Sequence, residues 1–289
     1  MLNGVNPAVR QASRKLSWGA RQVGVVRTAT GLAHLGVLAI RRPDQARVRT
    51  ARNQLTITFR YPSQLMPMLV AFRDLIEPEL GVLPVALGPG RIAIDVGASI
   101  GTWTMSAART GCTVHSCEPD LLNLEMLEAN LRANSLLNQV TTYPVALGEH
   151  EGRGHLLLTP RRYRNQVGAP TGATGNEIPV TTLDRFVDDL KINEVDVLKV
   201  NTAGRESDVI QGALGLFRAG RIRLALVLDG LEVRPVLDEL RACSYDIGVY
   251  DGNQRIFVSV PRSSDLEAAR PSPINRYILV RRDDVNVNL

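Results

Sequence analysis

The apolar positions of this chain follow two alternating rhythms. Short aliphatic runs read as strands: "RIAIDV", "CTVHSCEP", "QVTTYPVAL", "VDVLKV" and "IRLALVLDG". Longer stretches with helical spacing lie between them: "TWTMSAART", "DLLNLEMLEANLRANS" capped by Asp120, "LDRFVDDL" capped at Asp184, "ESDVIQGALGLFRAG" and "VRPVLDELRACS". Upstream, Leu55 to Phe59 alternates as a strand, and "SQLMPMLVAFRDLI" reads as a helix opened by Ser63, with Pro67 near its first turn. "GVLPVALGPG" reads as a connector. "HLLLTP" and "EIPVTTL" read as two strands around a long polar loop at 160–177, and "YDIGVY", "RIFVSV" and "RYILVRR" close the chain as strands. Strands alternating with helices predict a doubly wound α/β sheet with helices on both faces. The run of strands at the end predicts an antiparallel edge.

Composition sharpens this picture in two places. Apolar residues make up 44% of the 289 positions and aromatics only 4%, so the core must be aliphatic, as many buried parallel strands require. Charge is unevenly placed: residues 1–52 hold ten of the 34 basic residues and one of the 29 acids, leaving +9 there and −4 on the remainder. The expected organisation is a basic N-terminal arm over 1–52, helical or partly disordered, and a main domain over 53–289. The mildly acidic main domain gives no sign of a nucleic-acid-binding face. Within the arm, "VGVVRTATGLAHLGVLAI" is apolar but interrupted by Arg27 and His34, too broken for a spanning segment. It fits an amphipathic helix packed on its own domain or in a homodimer, or a peripheral contact with anionic lipid. Cys112, Cys117 and Cys243 form no paired framework and no metal-site spacing, in keeping with a reducing, cytoplasmic setting.

Candidate chemistry concentrates in "IAIDVGASIGTW", residues 92–103. A strand ends in Asp95, Gly97 permits a sharp turn and close approach by a ligand, and Gly101 precedes a helix opened by Thr102 or Thr104. The next strand ends in Glu118, 23 positions after Asp95, where a carboxylate can accept hydrogen bonds from a ribose. This is not the dinucleotide glycine pattern, because Ser99 stands where the second glycine would be. Asp95 would repel a pyrophosphate but suits a ligand carrying an ammonium and a sulfonium. S-adenosylmethionine is such a ligand: Asp95 would reach its amino group, loop amides its carboxylate and Glu118 its ribose.

From "IDVGASIG" through "SCEP", "VALGEHEG" (145–152), "TTLD" (181–184) and "LKVNTAGRE" (198–206), the chain resembles the FkbM family of S-adenosylmethionine-dependent methyltransferases, segment by segment and in order. The resemblance covers about residues 55–260. It implies a class I methyltransferase, Rossmann-like sheet of seven strands, mostly parallel, with the last antiparallel. It also implies methyl transfer, usually to a hydroxyl of a sugar or polyketide-type small molecule. Carried over by position, Asp95, Gly97, Ala98, Ser99 and Gly101 would line the methionine part, with Thr104 supporting the turn. Glu118 and Pro119 would hold the ribose, and Ala146 and Leu147 would lie near the adenine.

One segment departs from the family. Asn201 and Ala203 stand where the family has Asp and Glu, while Lys199, Gly204 and Glu206 are kept. Asn cannot accept a proton, although it can orient a hydroxyl. Three readings stay open: an active O-methyltransferase with its base elsewhere, Asp229 being the candidate, or with orientation supplying most of the rate; a cofactor-binding protein without transfer activity; or a scaffold that has lost cofactor binding. "RRYRN", 161–165, could hold an anionic acceptor or simply be a solvated loop.

Overall fold

The computed structural model describes residues 17, 19–21, 23–160, 165–168, 176–230, 232–271, 276–282 and 284–285. Helix α1 (Val25–Arg41) leads into an antiparallel hairpin of β1 (Gln45–Arg49) and β2 (Thr56–Arg60). Ala46, Val48, Ile57 and Phe59 alternate onto the buried face of this hairpin. The side-chain amides of Asn130 and Asn134 then bond the backbone of Thr58 and Thr56, each donating to a carbonyl and accepting from an N–H at 2.8–2.9 Å. The boundary drawn at residue 52 thus falls inside a hairpin whose two strands, with Leu38 of α1, share one core with the central sheet.

Helix α2 (Pro67–Phe72) starts at its proline, not at Ser63. Met66 is extended, as a residue before proline prefers, and a proline at the first helical position lacks only an N–H that would have no partner there. The stretch read as a connector, 81–90, takes in the end of a 3-10 turn (Pro78–Val82) and the short helix α3 (Leu83–Ala86).

The alternating part follows. It runs β3 (Ile92–Val96), α4 (Thr102–Ala108), β4 (Thr113–Cys117), α5 (Leu121–Ala133), β5 (Val140–Tyr143), β6 (Ala146–Leu147), β7 (Gly152–Leu157), β8 (Gln166–Gly168) and β9 (Asn176–Thr181). It continues with α6 (Leu183–Asp189), β10 (Val195–Val200), α7 (Glu206–Gln211), α8 (Leu214–Arg218), β11 (Ile222–Leu228) and α9 (Arg234–Ala242). It ends with β12 (Tyr245–Asp251), β13 (Ile256–Ser259), α10 (Leu266–Ala269) and β14 (Tyr277–Arg282). The central sheet has the order β13-β12-β14-β11-β10-β3-β4-β5, and β6, β9, β7 and β8 form a smaller sheet beside it. The chain leaves β3 toward β5 on one side and returns through β10 toward β11 on the other. The switch point is therefore the cleft over the carboxyl ends of β3 and β10, where open α/β sheets bind ligands.

Period-2 alternation divides these strands between two helical layers. Ala93 and Val197 face one core, and Ile94, Val96, Leu198 and Val200 face the other. All six residues of β10 are buried, which fits a parallel strand covered on both sides.

The structure modifies four expectations. The sheet has eight strands because β13 extends the expected seven, and antiparallel β14 lies inside it between β11 and β12 rather than at the edge. Helix α6 is capped by Thr182, whose hydroxyl accepts the Arg185 N–H at 3.1 Å. Asp184 instead accepts the N–H groups of Gly215 and Leu216, both at 2.9 Å, and so serves α8. The single helix expected over 206–220 breaks at Gly212, where a Cβ would sit 2.0 Å from the Gly148 carbonyl oxygen.

Candidate active site

The turn after β3 rests on a buried ion pair. Asp95 is fully buried, and one of its oxygens accepts from Lys199 Nζ at 2.7 Å across the β3–β10 pair. Its other oxygen accepts from Thr104 Oγ1 at 2.6 Å, which in turn lies 3.0 Å from Ser116 Oγ. Lys199 also donates to the Gly97 carbonyl at 2.7 Å. The expectation that Asp95 meets a ligand's ammonium is therefore corrected: both oxygens are used beneath the turn, and the side chain does not reach the cavity. Thr104 supports that turn from the same layer.

The two glycines carry packing roles as well. Gly97 has φ +77°, and a Cβ on it would sit 2.0 Å from the Asn201 carbonyl oxygen. The close approach it permits is thus between two strand ends. Gly101, at φ +92°, makes room for the Leu127 side chain and lies outside the cavity lining.

Above this floor lies a cavity of about 830 Å³. Gly97, Ala98, Ser99, Glu118, Pro119, Ala146 and Leu147 all line it, so seven of the ten expected cofactor positions converge on one space. Glu118 stands at the end of β4, accepting the Ser99 N–H at 2.8 Å on one oxygen. Its other oxygen accepts the Asp120 N–H at 3.0 Å and Asn123 Nδ2 at 3.3 Å. Burial raises its pKa to about 7 despite these donors. The Ser99 backbone is left-handed at φ +51°, which turns its N–H toward Glu118.

Three buried polar atoms on cavity-lining residues have no hydrogen-bond partner among the described residues: Thr102 Oγ1, Trp103 Nε1 and Thr202 Oγ1. Buried polar groups are seldom left unpaired. Two donors at the start of α4, a hydroxyl after β10 and a carboxylate at the end of β4 fit a polar cofactor with its own carboxylate and ribose. The residues present therefore fit S-adenosylmethionine.

The end of β10 is built differently. The Asn201 N–H donates to the Val96 carbonyl at 3.0 Å, and its side-chain amide donates to the Tyr277 hydroxyl at 2.9 Å. Glu206 accepts the N–H groups of Thr202 at 2.7 Å and Gly204 at 3.0 Å, so the acid this segment keeps holds the loop closed. Asn201 and Ala203 line the cavity without supplying a carboxylate.

Asp229 does not make up the loss. Its side chain is 2% exposed, it is paired with Arg234 at 3.3 Å and with Arg270, and it does not line the cavity. The assignment of Asp229 as base is corrected on that geometry: its carboxylate is engaged by two guanidiniums and stands outside the cavity.

Glu77, not singled out in the sequence, lines the cavity. It is half-buried, with no hydrogen-bond donor to its carboxylate among the described residues. Burial raises its pKa, with Arg276 and Lys199 opposing. Its neighbour Asp74, also on the cavity wall, is engaged by the Ala51 and Arg52 N–H groups. Glu77 and Glu79 flank Pro78 between the stretch read as a helix, ending at Ile76, and the connector that starts at Gly81, and no local pattern there marks an acid as facing a cavity. Arg161, Arg162 and Arg164 lie outside the described residues; Asn165 is described and donates to Asp120 at 2.7 Å.

No curated protein matches the chain. Among solved structures, it is similar to a methyltransferase FkbM from Methylobacillus flagellatus KT, with 17% identity, TM-score 0.45, 74% of this chain and 53% of that one covered. The chain thus spans about half the length of that protein. It is also similar to a SAM-dependent methyltransferase from Agrobacterium tumefaciens (9% identity, TM-score 0.45, 83% of this chain and 70% of that one). A third is M. capricolum TrmK, solved with S-adenosylhomocysteine (11% identity, TM-score 0.39, 71% and 68%). The sequence pattern of the methyltransferase FkbM domain matches residues 95–247, from the acid under the first turn into β12, and by this match over more than half its length the chain belongs to the FkbM methyltransferase family.

Proposed function

We propose that this protein transfers a methyl group from S-adenosylmethionine to a hydroxyl of a sugar or polyketide-type small molecule or glycan. The observation that carries this reading is the cavity over the switch point. There Glu118, the Ser99 turn and Thr102, Trp103 and Thr202, each with a buried polar atom that has no partner among the described residues, line one space, and Glu77, with no hydrogen-bond donor to its carboxylate among the described residues, stands on its wall. Glu118 and Pro119 would hold the ribose, Ala146 and Leu147 the adenine, and Thr102, Trp103 and the 97–99 turn the methionine end. When bound, the cofactor supplies an electrophilic methyl group.

The chain's own residues must then manage the acceptor's proton. Asn201 offers its side-chain oxygen to orient the hydroxyl while Tyr277 takes its N–H. Glu77 accepts the proton on a carboxylate oxygen, replacing the family's acids at 201 and 203 from a different part of the chain. A placed base contributes about 10²–10⁴-fold.

The test is labelled methyl transfer from S-adenosylmethionine to a panel of sugar and polyketide-type hydroxyl acceptors. Glu77→Gln should lower kcat by about 10²–10⁴-fold with little change in KM for the cofactor. An undiminished kcat removes Glu77 from the role. The loss of carboxylates at Asn201 and Ala203 favours one second reading, a cofactor-binding regulator or partner subunit. Tight cofactor binding without transfer to any acceptor would select it.

A further inference from the structure

Helix α1 packs on the domain by one face only. At about 100° per residue, Thr28, Gly31, Leu35 and Leu38 share that face. Gly31 sits so close to α2 that a Cβ would lie 2.2 Å from the Ala71 carbonyl oxygen. The opposite face carries Val25, Val26, Ala29, Ala33, Val37 and Ile40, and every one is exposed. Val25, Val26 and Ile40 are 76%, 78% and 84% exposed. A helix apolar on both its packed and its outward face ordinarily has a second apolar environment.

The charges around this face say which. Arg27 and Arg41 fall on the border between the packed and outward faces, and Arg42 follows at the helix end. With Arg21 and Arg47 they are exposed, and none is in an ion pair among the described residues. Residues 1–52 carry +9 and the remainder −4. A second copy seated on this face would bring two such positive regions together. An anionic lipid surface complements them and leaves the mildly acidic body facing away. At 17 residues, with Arg27 inside it, α1 is not long and apolar enough to cross a membrane, nor is any other helix among the described residues.

We propose that α1 is a peripheral membrane anchor, lying along an anionic bilayer with Val25, Val26, Val37 and Ile40 immersed and its arginines at the headgroups. The proposal is independent of the chemistry in the cavity. α1 packs on the helix whose first residues, Pro67 to Leu69, line the cavity, so docking would hold that cavity one helix layer from the lipid.

The test is co-sedimentation of the full chain with vesicles of phosphatidylcholine alone and of phosphatidylcholine mixed with phosphatidylglycerol. The wild type should pellet with the mixed vesicles and much less with the neutral ones, and high salt should release it. Val26→Ser with Ile40→Ser, and separately Arg27→Gln with Arg41→Gln, should each weaken binding by about tenfold or more. All four positions are exposed, so the variants should melt with the wild type. The proposal is overturned if the wild type ignores anionic vesicles or if both variants bind as it does. It is also overturned if the serine variant changes only the mass in sedimentation velocity, which would make the face a contact between copies.

Discussion

The carboxyl ends of β4 and β10 face the same cavity and are organised in opposite ways. At β4 the acid comes from the strand end itself: Glu118 is buried, takes three hydrogen bonds from Ser99, Asp120 and Asn123, and orders the turn opposite. At β10 the strand end offers an amide and a methyl, and the carboxylate arrives from the 77–79 segment, more than a hundred residues away in sequence. The acid at the end of β4 is built into the sheet; the acid beside the end of β10 is lent by the layer packed on it. If Glu77 is the base, as proposed, the two jobs are separable: Glu118 can be kept while the proton acceptor comes from another part of the chain.

The comparison can be strained first at the floor both halves share. Lys199 on β10 and Asp95 on β3 are paired at 2.7 Å with almost no exposure. Lys199→Met strands the Asp95 carboxylate and should cost about 3–5 kcal/mol in denaturant unfolding. A loss below about 1 kcal/mol would show that the halves do not depend on this pair.

The acid segment beside β10 can also be tested by pH. Burial raises Glu79, whose Oε2 has no partner among the described residues, to about 7. The folded state then binds a proton more tightly than the unfolded chain. Its stabilising contribution is full below the unfolded carboxylate value and is lost as pH rises through about 7. Glu79→Gln keeps an oxygen for the Arg276 and Tyr277 N–H groups and removes the charge. It should flatten the fall in stability between pH 5 and 8, by on the order of 3 kcal/mol. An unchanged slope would mean the group ionises freely in the fold. By the same sign, Glu77 must lose its proton to act as base, so kcat should rise with pH through a value above the ordinary carboxylate range.

The smallest effect on chemistry belongs to Asp229. Asp229→Asn should lower stability by about 1–3 kcal/mol through its two arginines while leaving kcat unchanged. A large fall in kcat without loss of stability would restore Asp229 as the base and undo the comparison.

What could be read from sequence follows the same division. The strand, turn and acid of 92–118 are local, and their spacing already placed Gly97, Ser99 and Glu118 together. The same spacing hid that Asp95 would be consumed by Lys199, because the β3–β10 pairing joins residues 104 positions apart. Asp229 looked available although Arg234 is only five positions away, because its second partner, Arg270, is 41 positions away. Glu77 was silent because nothing local marks an acid beside a proline as facing a cavity. The hairpin of β1 was missed because its strand is masked by a basic arm, and only pairing with β2 reveals it. Local geometry was legible; the partners that decide whether a charge is free were not.

The most direct test is a calorimetric titration of the full chain with S-adenosylmethionine, beside Glu118→Ala. Saturable one-to-one binding, weakened about tenfold or more in the variant, is the predicted result. No heat at millimolar cofactor, or equal affinity in both proteins, would contradict the claim that this cavity is the methyl donor's site.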